Sequence, residues 1–321
     1  MSYTKTAVLP VSPDEAFALI TEPERLRRWL TVSAVVDLRA GGSYRWTVTP
    51  GHIAAGTFRE VDPGRRIVFG WGWDGNADLP YDASTVTVTV EPADAGSLVT
   101  LVHEGLTEEQ AKSHAEGWDH HFERLERLAT TGDVGPDEWA YAPENLTPVV
   151  AAEAALAVLQ PILRNLTAED RSKPTPCADF TCHELAEHLF TSLVQLGATE
   201  GAPVSGSLEN RVSTLAGRAI DAWHTVDLDG TVPGPGGSQM PASFAAGILP
   251  LELTLHAWDF AQASGQSLHI SDELVDYVRG LAETIVPAVR GTAFADEVTP
   301  AGDATPIDRL AAFSGRTPIA A

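Results

Sequence analysis

Glu252 and His256 stand four residues apart in the apolar stretch SFAAGILPLELTLHAWDFAQASG, so on a helix both project from one side. His188 lies among Leu185, Leu189 and Phe190 in another stretch of helical periodicity. A carboxylate on an apolar helix face is costly unless it is paired or binds a metal. Facing helices build metal sites from such inward-pointing ligands. Two histidines and one glutamate with an open position form a catalytic set for zinc, and nickel or iron suit the same donors. The competing expectation is an ordinary core in which these polar residues are merely hydrogen-bonded.

The run HELAEH at 183–188 offers a rival pair. Histidines five apart are separated by about 140° around a helix, far from the near-eclipse of residues four apart. His183 and His188 are therefore not expected to share an ion, and His183 reads as a surface or capping residue. His103-Glu104 ends a strand and could be an acid–base pair, although successive strand residues point to opposite faces and only one can face inward. His120 and His121 sit about 100° apart on a helix and are expected on its solvated face. Cys177 and Cys182, spaced C-x4-C, match neither a redox nor a zinc-ribbon pair and are expected to stay thiols.

These residues need elements to hold them. In residues 1–135, TKTAVLPV alternates like a strand, and Ser12-Pro13-Asp14-Glu15 starts a helix running to about Trp29. Strand patterns follow near 33–39, 42–49, 53–61, 65–72, 84–93 and 97–104, separated by Gly- and Pro-bearing turns. A helical stretch at 107–130 closes the set. Strand, helix, meandering sheet and closing helix make an α+β domain. A helix across a curved sheet encloses space for an apolar ligand, and Trp46, Trp71, Trp73, His103 and Trp118 are candidates to line it. The plainer reading of each tryptophan is core.

Residues 136–145, rich in Gly, Pro and acidic residues over 131–148, read as a linker. From 146 to 321 the periodicity turns helical, with helices near 147–166, 182–198, 207–226, through 243–265, and at 271–291 and 306–313. Pro250 is expected to kink the fourth of these or to mark its true start.

The formal net charge of −23 argues against nucleic-acid or membrane partners, since phosphate backbones and anionic lipid are repelled. No apolar run reaches the roughly 20 residues of a membrane span, and the N-terminus lacks a signal-peptide core, so a cytoplasmic protein is expected. Oligomeric state is not legible.

Two resemblances add to this reading. VSPDEAFALITEPERLRRW, GTFREVDPGRRIVFGWGW, LVTLVHEGL and EGWDHHFERL resemble the heat-shock-ATPase-activator-like branch of the START-like (SRPBCC, helix-grip) superfamily over nearly all of 1–135. That superfamily holds hydrophobic-ligand binders, cyclases, hydrolases and self-sacrificing resistance proteins. TPCADFTCHELAEHL, ELTLHAWDFAQASGQ and VTPAGDATPIDRLAAFSGRTP are similar to the mycothiol-dependent maleylpyruvate isomerase N-terminal domain and its DinB-like relatives, over about 146–321. The resemblance implies an all-α four-helix-bundle-like domain binding a divalent metal through His188, Glu252 and His256. Asp259, one turn beyond His256, could orient it, and the plainer reading of its spacing is a helix-surface aspartate. The resemblance also implies mycothiol or another low-molecular-weight thiol as co-substrate.

The expected function is accordingly a metal-dependent, thiol-using transferase or isomerase acting on a small apolar molecule. The alternative is a binding or sequestering protein, for resistance or carriage, with a structural metal. A chaperone-regulating role rests only on the name of the first resemblance.

Overall fold

The structure, a computed structural model, describes residues 1–177, 180–198, 201, 203–234 and 237–319. Contacts divide the chain into two units, Met1–Gly135 and Pro136–Ala321.

In the first unit β1 (Ser2–Leu9) leads to α1 (Pro13–Thr21), where Ser12 accepts a hydrogen bond from the Glu15 amide and Pro13 fits the first turn. The short α2 (Pro23–Leu26) follows. Six strands come next: β2 (Ser33–Val36), β3 (Ser43–Thr49), β4 (His52–Asp62), β5 (Arg66–Trp71), β6 (Ser84–Ala93) and β7 (Gly96–Glu104). The long α3 (Glu108–Thr131) ends the unit's secondary structure. The strands form one antiparallel sheet in the order β1-β7-β6-β5-β4-β3-β2, an α+β arrangement of the helix-grip kind.

Alternation sets the inner face. Val86, Val88 and Val90 on β6 and Val99, Leu101 and His103 on β7 are buried, with the residues between them less so. A capping box between Thr107 and Gln110 starts α3, and Gly132 ends it in a left-handed conformation at φ 78°. Trp118, Phe122, Leu125 and Leu128 of α3 join the sheet's apolar core, each large side chain contributing roughly 1.5–3 kcal/mol on burial. Asp119 ties the helix to β1 by accepting from Tyr3 Oη (2.7 Å) and Lys5 Nζ (2.5 Å).

The second unit is helical. It begins with α4 (Glu138–Tyr141), so the stretch expected as a linker carries a turn of helix that packs on the next element. That element, α5 (Pro148–Asn165), is buried along most of its length. A 3-10 turn at Asp170–Ser172 precedes α6 (Cys182–Gln195) and α7 (Leu208–His224). The turn-rich stretch after α7 holds a two-stranded ribbon, β8 (Thr231–Pro233) with β9 (Gln239–Pro241). Then come α8 (Ala242–Ser264), α9 (Asp272–Val289) and α10 (Pro306–Phe313).

α5 packs on α7, α8 and α9, and α6 on α7 and α8. α8 runs unbroken through Pro250 and does not start there. It is apolar and buried on nearly every side, and that packing outweighs the one hydrogen bond proline removes. Gly247 lets α9 come close, since a Cβ there would sit 3.1 Å from Leu281 Cδ2. Among the described residues no helix is long and apolar enough to cross a membrane.

Candidate metal centre and aromatic cluster

The metal-type donors come from α6 and α8. Thr181 and Glu184 form a capping box that fixes where α6 begins, which puts His188 in its second turn. Glu252 and His256 share a face of α8 as their spacing requires. Glu252 Oε1 lies 3.2 Å from His188 Nε2 and 3.3 Å from His256 Nε2. One donor atom from each residue falls within 4.8 Å of the others. His256 is 2% exposed, Glu252 17% and His188 39%, so the group opens on the His188 side. Phe180 stacks on the His188 ring at 5.1 Å, and Ser192 Oγ, one turn along α6, is 3.4 Å from His188 Nε2.

His256 is held from behind. Its Nδ1 is 2.9 Å from Asp259 Oδ2, and the Asp259 carboxylate accepts from Arg316 Nε at 3.0 and 3.1 Å. A proton on Nδ1 in that bond leaves Nε2 as the lone-pair nitrogen of the neutral ring. Nε2 is buried and makes no hydrogen bond, its approach to Glu252 lacking the geometry. Burial opposes charge on both partners, yet Glu252 and Asp259 push His256 up to about 9. Burial would likewise raise Glu252, but His256, His188 and Ser192 hold its carboxyl well below the usual range.

These residues fit a divalent ion. Two imidazole nitrogens and a carboxylate oxygen converge, one nitrogen has no other partner, and a carboxylate fixes the outer nitrogen of the same ring. His183 is exposed and stands outside the group. Cys177, His256 and Asp259 also approach within 4.8 Å. There, however, the Arg316 guanidinium sits on Asp259 and 3.8 Å from Cys177 Sγ, and its fixed positive charge opposes a second cation. The sequence marks Cys177 only as a thiol and carries no signal for Arg316 or Ser192; Arg316 is 57 residues from the carboxylate it holds, beyond the reach of any periodicity.

In the first unit Trp46, Trp71, Trp73, His103 and Trp118 come together, with His114 of α3 as an addition. Trp71 is the hub, its ring 5.2 Å from Trp118, 5.3 Å from Trp73 and 5.8 Å from His103. The indole N–H of Trp118 donates to His103 Nδ1 (3.2 Å), so His103 carries its proton on Nε2, 2.9 Å from Ser84 Oγ. His114 Nε2 accepts from both Trp71 and Trp73 (3.2 Å each), while its Nδ1 faces the Gln110 carbonyl at 2.7 Å. Burial, with His114 nearby, pushes His103 down to about 3; burial also lowers His114, against the Gln110 bond. His103 faces inward and Glu104 is exposed, so the two do not work as a pair. The buried Trp46 indole nitrogen has no hydrogen-bond partner. A separate cleft of about 430 Å³ lies beside α1 and the end of α3, lined by Leu19, Leu128, Glu15, Arg25 and Arg28 among others.

Residues 10–130 match the family described as Activator of Hsp90 ATPase homolog 1-like protein. The protein named Uncharacterized protein Rv0738, from Mycobacterium tuberculosis, is 30% identical over 181 residues, 54% of this chain and 99% of its own length. A counterpart from a second strain of that organism gives the same values. The alignment is longer than the whole first unit, Met1–Gly135, so it takes in residues of the second. Among solved structures, the AHSA1-like protein of Rhizobium etli is 37% identical, covering 46% of this chain and 91% of that one, at a TM-score of 0.38. A Chromobacterium violaceum protein is 25% identical, covering 40% and 96%, at a TM-score of 0.35.

Proposed function

The chain belongs to the family of these mycobacterial proteins and carries an Activator of Hsp90 ATPase homolog 1-like domain over residues 10–130, and from that premise we propose that it is a metal-dependent enzyme, a transferase or isomerase that brings a low-molecular-weight thiol to a small apolar molecule. The observation that carries this reading is the convergence of His188, Glu252 and His256 around a buried imidazole nitrogen that has no hydrogen bond. The likeness of the second unit to the mycothiol-dependent maleylpyruvate isomerase N-terminal domain and its DinB-like relatives supports the same three residues and suggests mycothiol as the thiol.

A divalent ion held there, zinc foremost, would supply Lewis-acid activation of a thiol or water at neutral pH. His188 and His256 offer Nε2 to it, and Glu252 supplies the negative charge. Asp259 keeps the outer proton of His256 in place. Phe180 and Ser192 border the exposed edge at His188, and that edge is the entry for the co-substrate. The apolar molecule is assigned to the first unit, whose helix-and-sheet fold is of the kind that holds such ligands.

A second reading, sequestration without turnover, draws on the partnerless indole N–H of Trp46, which a ligand acceptor would satisfy. One experiment separates them. Protein purified without added metal is submitted to elemental analysis and native mass spectrometry, then assayed with thiol and small apolar electrophiles, with and without chelator. The expected outcome is one divalent ion per chain and thiol-dependent turnover that chelation abolishes. A retained apolar molecule without turnover supports sequestration, and a chain that neither carries nor takes up a divalent ion overturns the metal centre.

A further inference from the structure

Arg316 comes from the segment after α10, SGRTP, far in sequence from α6 and α8, which carry the metal-type donors. It is 7% exposed, and Asp259, which it grips, is fully buried. Four partners fix the guanidinium: Nε meets both oxygens of Asp259 (3.0 and 3.1 Å), Nη1 meets Ser314 Oγ (3.1 Å), Nη2 meets Cys177 Sγ (3.8 Å), and the ring of Phe294 lies at 5.8 Å. Ser314 is itself pinned, donating to the Ala311 carbonyl at 2.7 Å.

A carboxylate on a short aspartate side chain can rotate about its last bond. Bonds from one Nε–H to both of its oxygens set the carboxylate plane, and that plane decides where Oδ2 meets His256 Nδ1. The ring then has one orientation, with Nε2 turned toward Glu252 and His188. Without the guanidinium, Asp259 would be a buried carboxylate whose remaining partner is the imidazole, free to turn.

We propose that Arg316 is a positioning residue of the metal centre: through Asp259 it sets the orientation of His256, so the C-terminal segment is part of the site. This rests on the metal reading above and adds a residue to it that touches no donor atom of the His188–Glu252–His256 group. The chemistry needs a fork that a point charge cannot replace, so lysine is expected to restore only part of the function.

The test is titration of the full chain with cobalt(II), read as affinity and as the visible ligand-field spectrum, for the unaltered protein, Arg316→Ala and Arg316→Lys. Outer partners of metal-binding histidines typically change affinity by about 10- to 100-fold. Arg316→Ala is expected to lose binding within that range and to show a changed cobalt spectrum, with Arg316→Lys between it and the unaltered chain. Near-UV circular dichroism reports whether Arg316→Ala keeps its tertiary structure; if it does not, Arg316→Lys decides alone by the same two readouts. Unchanged affinity and spectrum in the folded variant overturn the role of Arg316 and leave the metal centre standing. An unaltered chain that binds no cobalt overturns both.

Discussion

The molecule carries two histidine clusters, one around the buried His103 and one open on the His188 side, that solve the same problem in opposite ways. In the first unit every ring nitrogen of His103 and His114 meets a complementary group: indole N–H against lone pair, ring N–H against hydroxyl or carbonyl. Both rings are held neutral, their protonation disfavoured by burial. In the second unit two rings crowd one carboxylate oxygen, one nitrogen is left without a hydrogen bond, and protonation of His256 is favoured. A satisfied network rigidifies a core, whereas an under-satisfied one marks a place where something else is meant to bind. The difference lies in the partners and not in the residue type, and it can be broken from either side.

The largest effect is expected from Glu252→Gln. The amide keeps the shape but removes the charge that both histidines face at 3.2 and 3.3 Å. Since altering an outer partner already costs about 10- to 100-fold, losing a direct donor should lower zinc affinity by more than about 100-fold. Competition against a chromophoric chelator measures it. Affinity within threefold of the unaltered chain would mean that the carboxylate is only a counter-ion for His256, and the contrast between the clusters would shrink to one of charge.

Much of this arrangement was legible because it is local. The period of two in STVTVTVEPA and GSLVTLVHE places His103 inward and Glu104 outward, and the i,i+4 spacing puts Glu252 beside His256. His121 shows where a visible signal was outweighed by the pair it forms with His120. Residues 118, 121, 122 and 125 follow the i, i+3, i+4, i+7 stripe of α3, and His121 is buried with Nδ1 3.2 Å from the Trp29 carbonyl, not on the solvated face. The hold of Arg316 on Asp259 had no local signature, because it depends on how α10 packs against α8 and α9. The continuity of α8 through Pro250 was hidden for the same reason: tertiary burial, not propensity, decides it.

Acid breaks the comparison from the first unit's side. His103 has its pKa lowered from 6.5 to about 3 in the folded chain. Between those values the unfolded chain binds the proton and the folded chain does not, so stability rises with pH across that window. The contribution is complete above about pH 6.5 and fades as pH falls toward 3. From pH 7 to 4.5 the loss should be on the order of 2–3 kcal/mol. Urea unfolding of the full chain at the two pH values, compared with His103→Gln, isolates it from the carboxylates, which titrate in both proteins. The variant should be less stable at pH 7 by about 1–3 kcal/mol, because Trp118 and Ser84 lose their partner, and should show a shallower pH slope. Parallel slopes would sink the idea that His103 is held neutral.

The smallest effect is the sharpest test of geometry. His183 opens HELAEH and looks like half of a chelating pair with His188. Five residues of helix turn it about 140° away, its side chain is exposed, and it stands outside the donor group. Zinc affinity of His183→Ala should stay within about twofold, and stability within roughly 0.5 kcal/mol, as for an exposed residue without a special role. His188→Ala, five positions on, should lose stoichiometric metal. Equal losses in the two would require α6 to present both rings to one ion, which a regular helix beginning at Cys182 cannot do. Unequal losses would tie the metal to a pairing across α6 and α8, the one arrangement in which Glu252 can face both histidines at once.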